Sequence, residues 1–281
     1  MQIGDFNIEQ LSEGFFEVFE DGTFQKMEAS RLDNLKDDPN IGKFTSAIGI
    51  DPLLIQKNGK NIIVDPGLGW GLDTGSQYRN TSNIVTNLDI FDLTPEDIDK
   101  VILTHLHFDH AAGTSYISDD LTTLPTFPNA EYFVHRDEWE YALSQINQDS
   151  KLMGADYKLD EIYKLVAEER FTFVEEEVFV PMEGIFAIKT GGHTPGHMVI
   201  KLKELDETAY FMGDLIPTEY HLNHYSMRQL DTDPLQSKKA KTLLLRQALK
   251  ENAVMFFYHS LFKKSGQLSR DQQKKYILLN P

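Results

Sequence analysis

The 281-residue chain carries 27 basic against 44 acidic side chains, a net charge of −17, with 41% hydrophobic and 25% charged residues and no cysteine. These proportions suit a soluble globular protein. They exclude disulfides, thiolate metal sites and cysteine nucleophiles, and the negative charge argues against a nucleic-acid partner, whose phosphates most of the surface would repel. No run approaches the roughly 18 continuous apolar residues needed to cross a bilayer. The start, Met1 to Asp5, has neither a basic nor an apolar leader region, so a cytoplasmic protein with no membrane contact is expected.

In chain order, residues 3–9 and 14–19 cluster or alternate apolar side chains and read as strands, followed by the tight-turn pair Asp21-Gly22. Residues 24–47 are polar, with Asp37-Asp38-Pro39-Asn40, and read as an excursion from a sheet. Strands at 52–56 and 61–65 flank Lys57-Asn58-Gly59-Lys60, a hairpin signature through its Asn-Gly pair. Thr94-Pro95-Glu96-Asp97 opens a short helix, with threonine as cap, proline at the first helical position and acids at the positive end of the dipole. Helical patterns recur at 136–148, 158–169 and 236–251. Strands are predicted at 101–103, 131–135, 184–190, 197–203, 208–213, 253–258 and 275–279. Strands dominate both halves and no low-complexity linker divides them. One α/β domain over residues 1–281 is expected, an αββα sandwich of two mixed sheets packed face to face with helices outside.

The strand at 101–103 runs directly into Thr104-His105-Leu106-His107-Phe108-Asp109-His110. Three of the nine histidines and an aspartate fall within six positions. Imidazole and carboxylate are the ligands a zinc-class ion takes where no thiolate is available. Residues two apart in an extended loop point the same way, so His105 and His107 can chelate one ion, while Asp109 and His110 can face a neighbouring position. Further ligands must come from other loops. Candidates at the ends of apolar runs are His193 in Gly191-Gly192-His193-Thr194-Pro195-Gly196-His197, Asp214 after Phe211-Met212-Gly213, and His259 after Val254 to Tyr258. Loops at strand ends on one edge of a sandwich converge.

The His-x-His-x-Asp-His hexapeptide, the Gly-His-Thr-Pro-Gly-His stretch, a Gly-Asp after a strand and a late lone histidine, in that order, resemble the metallo-β-lactamase-fold hydrolases. The resemblance runs from about residue 48 to about 262. It implies that His105, His107 and His193 bind one ion, that Asp109, His110 and His259 bind the other, and that Asp214 bridges them. Asp65, in Ile-Val-Asp-Pro-Gly, would buttress the histidine loop from behind, and His197 would lie in the core or behind the ligands. Two divalent ions per chain are implied, zinc foremost, with manganese, iron or cobalt suiting the same donors. Such ions, about 3.5–4 Å apart, hold a hydroxide between them for attack on a carbonyl or phosphoryl centre. Asp109 could then carry a proton to the leaving group.

Within that family, Gly213-Asp214-Leu215-Ile216-Pro217-Thr218 with His221, and Asp231-Thr232-Asp233-Pro234 running into a Lys/Leu-rich helix, resemble N-acyl homoserine lactonases and methyl parathion hydrolase-type enzymes. Two positions depart from the lactonase pattern: Ser260 stands where aspartate is expected and Pro217 where a tyrosine is. Tyr220, His221 or His224 could reach that tyrosine's space as part of a substrate pocket. Hydrolysis of a small-molecule lactone, carboxylic ester or phosphotriester is expected. The alternatives are a metal-retaining binding protein with little or no turnover, a thioesterase or a phosphodiesterase. His135 is expected to cap or to face solvent. Phe15, Phe16 and Phe19 are expected in the core, in a dimer contact or along an acyl or aryl pocket. The excursion at 24–47 is expected to be a loop that arches over the site or joins a homodimer.

Overall fold

The computed structural model describes residues 1–19, 23–36, 46–145, 157, 159–223, 228 and 230–280. Two seven-stranded mixed sheets face each other. The first runs in the order Gln2–Ile3, Phe6–Gln10, Leu53–Lys57, Lys60–Val64, Lys100–Ile102, Glu131–His135 and Phe171–Val174. Its last four strands are mutually parallel. The second runs in the order Val178–Met182, Ile185–Lys189, Met198–Glu204, Glu207–Phe211, Val254–Phe256, Ser265–Arg270 and Tyr276–Leu279. Its one parallel pair, Glu207–Phe211 with Val254–Phe256, needs a crossover. The helix Pro234–Lys250 lies in that connection, with Pro234 in its first turn and the Asp233 side chain accepting from the Leu235 and Gln236 amides.

Alternate side chains of each strand point to opposite faces. Ile55, Ile62, Val64 and Ile102 of the first sheet therefore meet Ala187, Ile200, Leu202 and Phe211 of the second in one core cluster. Leu54, Ile63, Val101 and Val134 turn outward onto Ile84, Leu88, Trp139 and Leu165 of flanking helices. On the far side Val199, Tyr210 and Met255 pack on Ala240, Leu244 and Ala248. Both faces of both sheets are covered, which is the αββα sandwich. The hairpin closes through Asn58 and Gly59 with φ of 53° and 73°, the positive pair a two-residue turn requires. Among the described residues no helix is long and apolar enough to cross a membrane.

Several local expectations need correction. The short helix at 94–97 is present, with Thr94 as cap and Pro95 at its first position, but it is one 3-10 turn, Pro95–Asp97, closed by the Asp97 carboxylate on the Thr94 amide at 2.8 Å. Of the two expectations for His135 the cap holds and the solvent-facing one does not: it is buried, and its Nδ1 accepts from the Asp137 amide at the start of the helix Arg136–Gln145. The excursion is not a plain loop where described. Phe24–Lys26 joins Gly14–Val18 and Ala47–Ile50 in a three-stranded sheet, and Ala29–Lys36 is helical. Phe24 anchors it, packing its ring 6.5 Å from that of the fully buried Phe16. The Asp21-Gly22 turn and the Asp37 to Asn40 run lie outside the described residues, as does the end of the helix predicted to reach 148. The helix Ile84–Asp89 and the strands Phe171–Val174, Val178–Met182 and Ser265–Arg270 were not apparent in the sequence pattern.

Ile200 is fully buried between the sheets, whereas Leu243 on the helix Pro234–Lys250 is 57% exposed. Ile200→Ala is expected to lower unfolding free energy by about 2–5 kcal/mol. Leu243→Ala is expected to stay within about 0.5 kcal/mol in the same urea titration.

Candidate metal centre

The parallel strands Lys60–Val64 and Lys100–Ile102 end side by side, and the site starts there. Asp65 follows the first in a left-handed conformation, φ 53°, with its amide donating to the Ile102 carbonyl at 3.0 Å. Its wholly buried carboxylate accepts from the Thr104 amide (2.7 Å), the Thr104 hydroxyl (2.6 Å) and His110 Nδ1 (2.8 Å). The first turn after His107 is helical, Phe108–Ala111, which swings Asp109 and His110 away from His105 and His107.

Loops from the second sheet close on this one. His193 Nε2 lies 3.1 Å from His107 Nδ1, which in turn lies 3.0 Å from His105 Nε2. On the other side His110 Nε2 and His259 Nε2 are 3.2 Å apart, with Asp109 Oδ2 3.5 Å from His259 Nε2. Asp214 stands between the two groups. Its Oδ2 lies 3.4 Å from His193 Nε2, while Oδ1 lies 3.1 Å from His259 Nε2 and 3.3 Å from His110 Nε2. Gly213 makes that placement possible: its φ is 48°, and a Cβ there would sit 2.8 Å from His197 Nε2.

This donor set fits divalent cations on three observations. Ligands of a tetrahedral ion with bonds of about 2.0–2.1 Å stand about 3.3 Å apart, close to the separations just given. The outer nitrogens are also committed. His105 Nδ1 meets the Thr104 hydroxyl (3.0 Å), His110 Nδ1 meets Asp65, His193 Nδ1 meets Asp231 (3.1 Å) and His259 Nδ1 donates to the Gly49 carbonyl (2.9 Å). A proton held at Nδ1 leaves the Nε2 lone pair facing inward, the arrangement found behind metal-binding histidines. Finally, Asp214 Oδ1 is buried and, among the described residues, has no hydrogen bond of good geometry, only the His259 and His110 Nε2 atoms 3.1 and 3.3 Å away, as an acceptor set to share a cation with them would have. Asp65, His105 and His110 also lie close enough to form a ligand group. Asp65 spends its oxygens on three donors, so that grouping is a hydrogen-bond network. The triads His105–His107–His193 and Asp109–His110–His259 are the groups able to hold metal.

The electrostatics agree. Burial pushes His105 and His107 well below the ordinary histidine range and His193 down to about 3, keeping all three as neutral donors. Burial would lower His110 too, but Asp109 and Asp65 outweigh it and carry it up to about 10. Burial alone would raise Asp214, yet His259, Arg228 and His193 hold it well below the carboxylate range. The carboxylates call for positive charge at this spot.

The other expected residues fall around this centre. His197 is buried behind it, its Nε2 accepting from the Asp214 amide (3.0 Å) and its Nδ1 bonded to Thr190 (2.7 Å), so no nitrogen remains for a metal. His221 is bonded to Thr218 at 2.7 Å, and burial, with Arg228 and Lys241, pushes it down to about 4. Tyr220 is 41% exposed and lines a surface cavity with Arg270, Lys274 and Tyr276, none of the seven ligand candidates being in its walls. His224 lies outside the described residues. Ser260 is buried, its hydroxyl donating to Glu219 at 2.6 Å and so tying the His259 loop to the Thr218 turn.

Three charged residues at the centre were missed in the sequence. Arg228 donates to both the carbonyl and Oδ2 of Asp214, the latter at 3.1 Å. Glu13, fully buried, accepts from the Leu68 and Ile84 amides at 2.8 and 3.2 Å and so fixes the loop that follows Asp65. Burial pushes its carboxyl up to about 8 against those donors. Glu138 is likewise buried and joins two of the ligand loops.

Residues 49–259 match the family model described as the Metallo-beta-lactamase superfamily. An N-acyl homoserine lactonase from a Bacillus species is 26% identical over 178 residues, covering 61% of this chain and 60% of the relative. A beta-lactamase-like protein 2 homolog of Caenorhabditis elegans is 27% identical over 179 residues, covering 63% and 47%. The matched segment thus spans less than two thirds of either relative. The crystal structure of a probable metal-dependent hydrolase from Staphylococcus aureus superposes with a TM-score of 0.74 at 28% identity, over 100% of this chain and 99% of that one. AidC, a dizinc quorum-quenching lactonase, superposes with a TM-score of 0.72 at 19% identity over 100% and 96%, a likeness of fold. The motif order, the sandwich and the family match converge on one assignment: this chain belongs to the metallo-beta-lactamase superfamily.

Proposed function

We propose that the chain is a dinuclear hydrolase that opens a lactone, or cleaves a carboxylic ester or phosphotriester, of a small molecule. The observation that carries this reading is the convergence of the two triads, His105–His107–His193 and Asp109–His110–His259, on the buried Asp214 carboxylate between them. Relatives named as N-acyl homoserine lactonases put the lactone first among the substrates. His105, His107, His193 and Asp214 Oδ2 would hold one ion, and Asp109, His110, His259 and Asp214 Oδ1 the other. Zinc is the ion we assign, with manganese, iron or cobalt as substitutes that the same donors accept. Bound there, the pair supplies Lewis-acid polarisation of the substrate oxygen and a water acidified to near neutral pH.

The chain's own groups do the rest. Arg228 fixes the orientation of Asp214 from the backbone side. Asp109 is held by the Tyr258 hydroxyl on its carbonyl at 2.7 Å and carries the proton to the leaving group. Phe24, whose ring lies 6.4 Å from that of Phe108 in the ligand loop, gives an apolar wall beside the site against which an acyl or aryl group can lie. We place the enzyme in the cytoplasm with a small-molecule substrate, since a net charge of −17 repels polyanions.

The test is proton release from an N-acyl homoserine lactone by zinc-reconstituted protein. Turnover in the wild type, lost to background in Asp214→Ala, is the expected result. Two ions bound without turnover on lactone, aryl ester or phosphotriester would overturn the enzymatic reading in favour of a metal-retaining binding protein. Asp65→Asn presents an amide N–H to His110 Nδ1 in place of an acceptor. It is expected to weaken divalent-ion affinity about 10–100-fold in a chelator competition, with the circular dichroism spectrum unchanged.

A further inference from the structure

Of the five candidate ligand imidazoles, four have their outer nitrogen held by a hydrogen-bond partner. His107 differs. Its Nδ1 faces the site, and its Nε2 has no hydrogen-bond partner among the described residues. Its aim must come from the backbone that carries it and from the groups packed on its ring. Both lead to one buried carboxylate.

Glu138 sits in the first turn of the helix Arg136–Gln145, wholly buried. Its Oε1 accepts from the Leu106 amide at 3.0 Å and from the Tyr157 hydroxyl at 3.3 Å. Its Oε2 accepts from the Thr194 hydroxyl, and the Gly196 amide is a fourth donor. Leu106 lies between His105 and His107, Thr194 follows His193, and the Tyr157 ring packs 5.1 Å from the His107 ring. The approach is close enough to require glycine: a Cβ on Gly196 would stand 2.2 Å from the Glu138 amide nitrogen. A carboxylate taken out of water is costly unless its oxygens are filled. Here four donors fill them, and all four belong to the two loops that carry His107 and His193 or to the ring packed on His107.

We propose that Glu138 is a positioning residue that sets the spacing of the His105–His107 loop from the His193 loop, and with it the affinity of the ion those three histidines hold. The donors grouped at Asp109, His110 and His259 have no hydrogen bond to Glu138 among the described residues, whereas Asp65 reaches both groups, His110 directly and His105 through Thr104. This division rests on the two-ion reading above.

Cobalt titration of the full-length apo-protein tests it, with absorption bands assigned to each position by His193→Ala and His259→Ala. Glu138→Ala is expected to weaken the His105–His107–His193 ion about 10–100-fold while leaving the other nearly unchanged. Glu138→Gln, which keeps the shape and one acceptor, is expected to fall between, and Asp65→Asn, which touches His110 directly and His105 through Thr104, to weaken both ions. Equal weakening of both ions in Glu138→Gln, or none at either, in a protein whose melting temperature matches the wild type would overturn the proposal. Glu138→Gln decides alone if the alanine variant does not fold. A wild-type chain that takes up fewer than two cobalt ions would overturn the two-ion reading itself, and this proposal with it.

Discussion

The hydrogen bonds made by Asp65 are the contact on which the remainder of the site depends. A buried carboxylate is tolerated only where its oxygens are filled, and a left-handed backbone at a residue other than glycine costs on the order of 1–3 kcal/mol. Asp65 accepts both conditions because it ends one parallel strand beside the end of the next, where the Thr104 amide and hydroxyl and His110 Nδ1 all reach it. Once Thr104 gives its proton to Asp65, its oxygen is free to accept from His105 Nδ1. Thus one aspartate fixes the tautomers of His105 and His110, which belong to opposite halves of the centre.

The second sheet contributes the complementary half. Its loops bring His193, Asp214 and His259 over the first sheet's hexapeptide, and each is fixed by a partner of its own: Asp231, His197 and Gly49. The inter-sheet core supports this convergence, since Ile102 of the first sheet and Phe211 of the second, each three residues before a candidate ligand (His105 and Asp214), pack into the same cluster. The carboxylates of Asp109 and Asp214 then face a cluster of imidazoles, among them His193, which burial keeps neutral, with Arg228 as a nearby permanent cation. Such an arrangement is poorly balanced as a core and well balanced as a cation site.

Much of this was legible in the sequence. The hexapeptide is local, and the loops of His193, Asp214 and His259 announce themselves by following apolar runs, so the sandwich and the side chains it brings together could be read in one dimension. Glu138, Glu13 and Arg228 could not. In a chain with 44 acidic residues, one glutamate looks like any solvated one. Glu138 is defined by contacts to Leu106 and Thr194, 32 and 56 positions away, and Glu13 by contacts 55 and 71 away. The strands Phe171–Val174 and Val178–Met182 were hidden by the three glutamates between them. Ser265–Arg270 has one leucine as its apolar content and owes its existence to pairing on both sides. The excursion at 24–47 read as loop because Phe24, its anchor, stands alone among polar neighbours.

Anomalous diffraction from crystals of the zinc-loaded protein tests the central claim most directly. The expected result is two peaks about 3.5–4 Å apart, one on each side of the Asp214 carboxylate, contacting the two triads. A single peak, or two peaks that do not share Asp214, would contradict the bridged pair and with it the hydrolytic reading built on that carboxylate.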